Sequence, residues 1–187
     1  FYSRNKKKNI IFVSVNQLRK SKKIIMSTVT NTPLSQKLND FINSWFEDNK
    51  GKFLFVDKDD NDYTDDIGGT LKKMIEIYKN TGKISIWTGC SETSIFADPK
   101  INHKFRAWHD FHHVTKNLSF DEIGEKQVCE YQKNDLPKTY IFERILLDIE
   151  INGQIEYLLK KGNFVNNQID FCKSYLRGGI KEALKID

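Results

Sequence analysis

Between Asp98 and Asn117 the chain runs without a helix breaker, and this stretch constrains the fold more than any other. It opens on Asp98-Pro99, an N-capping acid followed by proline in the first turn, where a missing N–H removes no hydrogen bond. It closes on Asn117-Leu118, which breaks the pattern. A single helix over 99–116 is expected, and the fold must be built around that rod. All four histidines of the chain lie inside it, between His103 and His113.

The remaining elements follow from apolar spacing. Leu34, Leu38, Phe41, Ile42, Trp45 and Phe46 recur at three and four, which predicts a helix over 34–48 that ends at Asn49-Lys50-Gly51. Ile67, Leu71, Met74, Ile75 and Tyr78 predict a second, closed by Asn80-Thr81-Gly82. Ser119 and Glu122 have the spacing of a capping box, so a helix over 120–133 is expected. A long helix over 137–160 carries Ile141, Phe142, Ile145, Leu146 and Ile149 on an apolar face and stops at Lys161-Gly162. A further helix covers 164–176, and Gly178-Gly179 sets off a C-terminal turn. Phe53-Leu54-Phe55-Val56 and the alternating 83–88 read as short strands. Three Pro and ten Gly favour long helices over a turn-rich β fold. The expected fold is mainly α: a single helical domain of about five to six helices over 26–187, with a short strand or hairpin near 53–56 and 83–88.

Charge separates the N-terminus from the rest. Residues 1–25 hold eight Lys or Arg and no Asp or Glu, which leaves 22 basic against 25 acidic residues elsewhere. The basic balance therefore belongs to a leader and not to a domain. Met26-Ser27 reads as the true start, with 1–25 outside the folded unit. No basic patch interleaved with aromatics occurs beyond residue 25, which argues against a nucleic-acid module there. No apolar run approaches the roughly 20 residues of a membrane span. Three widely spaced cysteines with no C-x-x-C motif fit a reducing cytoplasm. Two further motifs fail on inspection. The acidic run from Asp57 to Asp66 resembles a calcium loop, but has Asp62 at the sixth position and Gly68 at the twelfth, where an EF-hand needs Gly and Glu. Gly89-Cys90-Ser91 resembles the start of a nucleophile elbow but is completed by Thr93, not Gly; Cys90 reads better as a small buried apolar residue than as a nucleophile.

The chemical signal lies in the histidine helix. At about 100° per residue, His109 and His113 stand about 40° apart on one face, with Arg106 beside them. Neutral imidazoles at i and i+4 can reach one ion. A third ligand is expected from the next helix, which should fold back antiparallel. There Glu122, Glu125 and Cys129 share a face, and Glu125 is preferred because Glu122 is engaged in the capping box. The long helix adds a stripe of Glu143, Leu147, Glu150, Gln154 and Tyr157, which is either a solvent face or a second wall of a pocket.

Two resemblances bear on this stretch. His109-Asp110 resembles the doublet of the HD-domain phosphohydrolases. That family adds an earlier His and a later Asp. Here the earlier residue is His103, only six positions back, and no later Asp is placed by spacing. More broadly, Phe105-Arg106-Ala107-Trp108-His109-Asp110 with His113, then Gly124-Glu125, then Gly153-Gln154 with Tyr157, then Gly162, Phe164, Gln168 and Phe171, resembles a group of uncharacterised proteins from tailed bacteriophages. The resemblance covers about residues 86–172. It implies a viral origin, a host-cytoplasm location and importance for His109, Asp110, His113, Glu125 and Gln154, and it brings no activity with it.

The expected function is a metal-dependent hydrolase acting on a phosphate ester or nucleotide. His109, His113 and Glu125 would hold a divalent Zn, Mn or Fe ion. Asp110 or Glu150 would handle protons, and Arg106 and Gln154 would bind a small phosphorylated substrate. The zincin protease pattern does not apply, because Asp110 stands where its Glu base belongs. A non-catalytic phage accessory or virion protein is one alternative. A di-iron or di-manganese helical oxidoreductase is another, although its Glu-x-x-His motif is absent.

Overall fold

A computed structural model describes residues 32–57, 67–89, 91 and 93–186. The expected leader at 1–25 with its Met26 start, most of the calcium-like loop and Cys90 lie outside the described residues. The elements run α1 (Gln36–Asn49), a 3₁₀ turn (Lys50–Lys52), β1 (Phe53–Val56), α2 (Ile67–Thr81), β2 (Ile84–Trp87), α3 (Pro99–Lys116), α4 (Glu122–Asp135), α5 (Ile141–Asp148), a π-helical turn (Ile149–Gly153), α6 (Gln154–Lys161) and α7 (Gln168–Ala183). The described residues are mainly α-helical, as the spacing predicts, with one short sheet among them.

The two strands pair in parallel, in the register Phe53↔Ile84 to Val56↔Trp87. They are therefore joined as β–α–β through α2 and not as a hairpin, because parallel neighbours need a crossover connection. β1 and β2 form a small sheet with Phe53, Ile84 and Ile86 buried against Phe46, Met74, Ala107 and Val114.

The rod predicted over 99–116 is the hub. Asp98 caps it by accepting from the Lys100 N–H, and Asn117 ends it in the left-handed region, at φ 53°. It packs against α1, α2, α4 and β2. Contact on several sides explains its weak amphipathicity: Ile101, Phe105, Ala107, Trp108, His112, His113 and Val114 are buried, and no single stripe can hold them. Trp108 is fully enclosed in the larger core with Leu38, Ile42, Phe96, Leu146 and Phe171, and its indole N–H donates to Asp135 Oδ2 at 2.8 Å.

Two local expectations are corrected. Asp121, not Ser119, caps α4: its Oδ1 accepts from the N–H groups of Ile123 and Gly124. A carboxylate at the cap outcompetes the hydroxyl two residues earlier because it can take both orphan donors. The expected long helix is also interrupted by the π-turn, and its expected apolar face is split: Leu146 and Ile149 are buried as expected, the rest of that face is not. Ile141, Phe142 and Ile145 are exposed, whereas Glu143, Leu146, Leu147 and Glu150 point inward. Glu143 is held by the Ser35 hydroxyl at 2.8 Å, at the start of α1.

Candidate metal centre

Asn117 and Leu118 turn the chain so that α4 runs back along α3. The pairs His113–Glu125, His109–Gln132 and Trp108–Asp135 advance along α4 as they step back along α3, which is the antiparallel packing expected from the short connection. That packing carries Glu125 onto the histidine pair.

Three side chains meet there. His109 Nε2 and His113 Nε2 are 3.0 Å apart. His109 Nε2 is 3.0 Å from Glu125 Oε2, and His113 Nε2 is 3.4 Å from Glu125 Oε1. Among the described residues these three form a group able to hold a metal ion. Atoms bound about 2.1 Å from one ion stand about 3.0 Å apart at neighbouring corners of an octahedron and about 3.4 Å apart in a tetrahedron. The His109–His113 and His109–Glu125 Oε2 separations match the octahedral value, while the 3.4 Å contact is made by the other Glu125 oxygen.

The far nitrogens explain why the near ones converge. His113 Nδ1 lies 2.9 Å from the Leu118 carbonyl, an acceptor only, so Nδ1 carries the proton. His109 Nδ1 lies 3.0 Å from Gln132 Oε1 and is a donor by the same reasoning. Both rings are thus set to turn an Nε2 lone pair inward, the tautomer a metal requires. Two lone pairs at 3.0 Å repel unless a cation or a proton stands between them. The side chains are 16 % exposed for His109, none for His113 and 5 % for Glu125, so the approach is from the His109 side.

Without metal, a proton fills that role. Burial alone would lower the His109 pKa, but the Glu125 carboxylate overrides it and raises it to about 9. Burial would raise Glu125, but the two histidines hold it down at about 2. The consequences for the metal-free protein have opposite signs. His109 contributes stability that is complete below about pH 6.5 and lost as pH rises through about 9, whereas Glu125 contributes stability that is complete above about pH 4.5 and lost as pH falls through about 2. Metal-free stability from this pair should therefore plateau between those inner limits. Metal binding at pH 7 should release about one proton, because the His109 proton must leave. Calorimetry in buffers of differing ionisation enthalpy measures that number.

The other histidines are engaged elsewhere. His103 Nε2 bonds the Thr88 carbonyl at 2.8 Å. His112 Nε2 meets Asp135 Oδ2 at 2.9 Å, with its ring stacked on Tyr131. The HD-type ligand set is accordingly not assembled: His103 is turned to the β2 end, and Asp110 is not in the three-donor group. Asp110 is half-buried next to the centre, and its pKa is raised by burial against the opposing pull of His109, His113 and Arg106.

Arg106 reaches from α3 to the segment after β2. Its Nη1 donates to the carbonyls of Trp87 at 3.0 Å and Gly89 at 2.6 Å, which pins the segment after β2 to α3. A Cβ at Gly89 would stand 2.0 Å from the Trp87 ring, so any side chain there displaces that ring. Glu150 sits on the π-turn, 7 % exposed, under the influence of Gln154 and Arg106. Its Oε2 has no hydrogen-bond partner, and burial pushes its pKa up to about 8, so it is largely protonated at neutral pH. Gln154 Oε1 is approached by Gln168 Nε2 at 3.5 Å. A raised carboxyl destabilises the fold increasingly from about pH 4.5 to about pH 8, since the unfolded chain gives up the proton first. Glu150→Gln should therefore raise the Tm, and by more at pH 8 than at pH 5, as measured by thermal denaturation at both values.

Gln132 and the Leu118 carbonyl are the site groups that sequence reasoning missed. Gln132 had a signal: it lies two turns beyond Glu125 on the same face of α4. The carbonyl had none. No protein-family model, curated protein or solved structure matches this chain. No helix among the described residues is long and apolar enough to cross a membrane.

Proposed function

We propose that the protein is a metal-dependent hydrolase with a mononuclear centre at His109, His113 and Glu125, acting on a phosphate ester or nucleotide. The observation that carries the metal is the convergence of two imidazole nitrogens, 3.0 Å apart, on the Glu125 carboxylate, whose Oε2 is 3.0 Å from His109 and whose Oε1 is 3.4 Å from His113, with both far imidazole nitrogens already bonded. Three protein ligands leave coordination positions for water and substrate. A two-His, one-carboxylate set suits Zn and equally Fe or Mn. When bound, the ion supplies a Lewis acid and an acidified water.

The chain's own residues take the other roles. Asp110, beside the ligands, is placed to exchange a proton with the bound water. Glu150, neutral at pH 7, is suited to give one. Its place on a π-turn fits that reading, since π-turns are rare and recur at functional sites. Arg106 acts electrostatically on both Asp110 and Glu150, which suits it to an anionic substrate lying between them, and Gln154 offers an amide on the Glu150 side.

A di-metal oxidoreductase finds less support. Glu143, needed for a second ion, is tied to Ser35, and the described residues present one three-donor group. A phage accessory or virion protein is the second reading, because the His109–Glu125 pair already ties α3 to α4 without a metal.

The test is metal analysis of the purified protein beside a His109→Ala, His113→Ala double variant. The wild type is expected to hold about one equivalent of a transition metal and the double variant none. Absence of metal from the wild type after incubation with Zn, Mn and Fe would sink the reading. A phosphoesterase panel run beside an oxygen-consumption assay then separates hydrolysis from oxidation.

A further inference from the structure

We infer that Gln132 is a positioning residue of the metal centre: it fixes the tautomer and orientation of His109 while leaving that ligand neutral. This rests on the metal reading above. Gln132 is completely buried, on the face of α4 that also bears Glu125. The two residues grip one imidazole from both ends: Glu125 Oε2 is 3.0 Å from Nε2, and Gln132 Oε1 is 3.0 Å from Nδ1. His113 is held by a carbonyl in the same way. His109 is the more exposed of the two and has no backbone group in that role, so a side chain supplies it.

A second observation separates this role from core packing. The Nε2 group of Gln132 is buried with no hydrogen-bond partner. For structure alone, leucine of similar size would fill the space without stranding a donor. The amide is therefore explained by its acceptor oxygen, which is the atom that faces His109.

The choice of amide over carboxylate has a chemical consequence. Metal-bound histidines commonly donate their outer N–H to a carboxylate or a carbonyl, and a carboxylate there makes the ring a stronger base. With Gln132 the centre consists of a divalent ion, one carboxylate and two neutral rings, a net charge of +1. A Glu at this position would cancel it. Gln132 thus keeps positive charge on the ion for an anionic ligand such as a phosphate ester.

Cobalt(II) serves as the probe, titrated into metal-free wild type, Gln132→Leu, Gln132→Asn and Gln132→Glu, with visible absorption reporting the coordination sphere and circular dichroism the fold. Leu removes the acceptor, and Asn withdraws it by one methylene. Both are expected to weaken cobalt binding about 10- to 100-fold and to change the absorption bands. Glu restores an acceptor and should bind cobalt at least as tightly as wild type. Inorganic phosphate added to the cobalt-loaded proteins should perturb the bands of wild type at lower concentration than those of Gln132→Glu. Should Leu fail to fold, Asn and Glu make the same comparison.

Wild-type affinity and spectrum in Gln132→Leu or Gln132→Asn would overturn the inference and leave the metal reading intact. So would binding by Gln132→Glu as weak as that of Gln132→Leu. A wild-type protein that takes up no cobalt overturns both.

Discussion

Glu125→Ala is expected to remove tight metal binding and to destabilise the metal-free protein at the same time. Glu125 is 5 % exposed and faces His109 and His113 from the neighbouring helix. Truncation leaves a buried imidazolium without its counter-charge, and breaking one side of a buried pair costs about 3–5 kcal/mol. The metal effect comes from losing one of three ligands. Structural zinc sites bind with roughly 10–16 kcal/mol over four ligands, so one ligand is worth about a hundredfold or more in affinity. The urea midpoint of metal-free protein reads the first effect and cobalt titration the second. His109 should also titrate lower in the variant, since the largest influence opposing burial is then gone and only the smaller ones of Asp110 and Gln132 remain, and proton NMR reports this directly. Unchanged stability together with unchanged cobalt affinity would show that the three side chains do not act as a unit.

Gly124→Ala is expected to act on the same centre through the backbone. A Cβ at Gly124 would stand 1.8 Å from the Ser119 carbonyl oxygen and 2.6 Å from its carbon. These are backbone atoms and cannot rotate aside. Either the first turn of α4 moves away or the turn from Leu118 to Asp121 opens, and both displace Glu125, the next residue. Such overpacking costs about 1–3 kcal/mol, and a clash with backbone belongs at the top of that range. Cobalt affinity should fall along with the Tm. Gly51→Ala is the control: nothing lies within 4 Å of its Cβ position, so its Tm should stay within about 1 °C of wild type. Equal behaviour of the two variants would disprove the role assigned to the α3–α4 turn.

Much of the centre was legible because helices are local objects. Asp98-Pro99 and Asn117 bound α3 where the spacing predicts, and the i, i+4 offset alone puts His109 and His113 on one face. Glu125 was reachable because a short connection between two helices forces them antiparallel. What failed depended on competition between groups. Asp121 took the α4 cap from Ser119, and the 137–160 helix turned its Glu143–Glu150 face inward although Ile141, Phe142 and Ile145 are more apolar. Hydropathy counts residues one at a time, whereas Glu143 is buried because Ser35, far away in sequence, meets it.

The sequence by itself thus determined that this chain is helical, that two imidazoles share a face, and that a carboxylate from the following helix lies within reach. The tertiary structure decided which nitrogen of each ring turns inward. It used the Leu118 carbonyl and the Gln132 amide to do so, and it brought the two imidazole nitrogens and the Glu125 carboxylate to contacts of 3.0–3.4 Å. The physical reason is that helical periodicity specifies direction to within a turn, whereas coordination depends on tenths of an ångström and on which nitrogen carries a proton. Those are set only when two helices are packed and every outer hydrogen bond has found its partner.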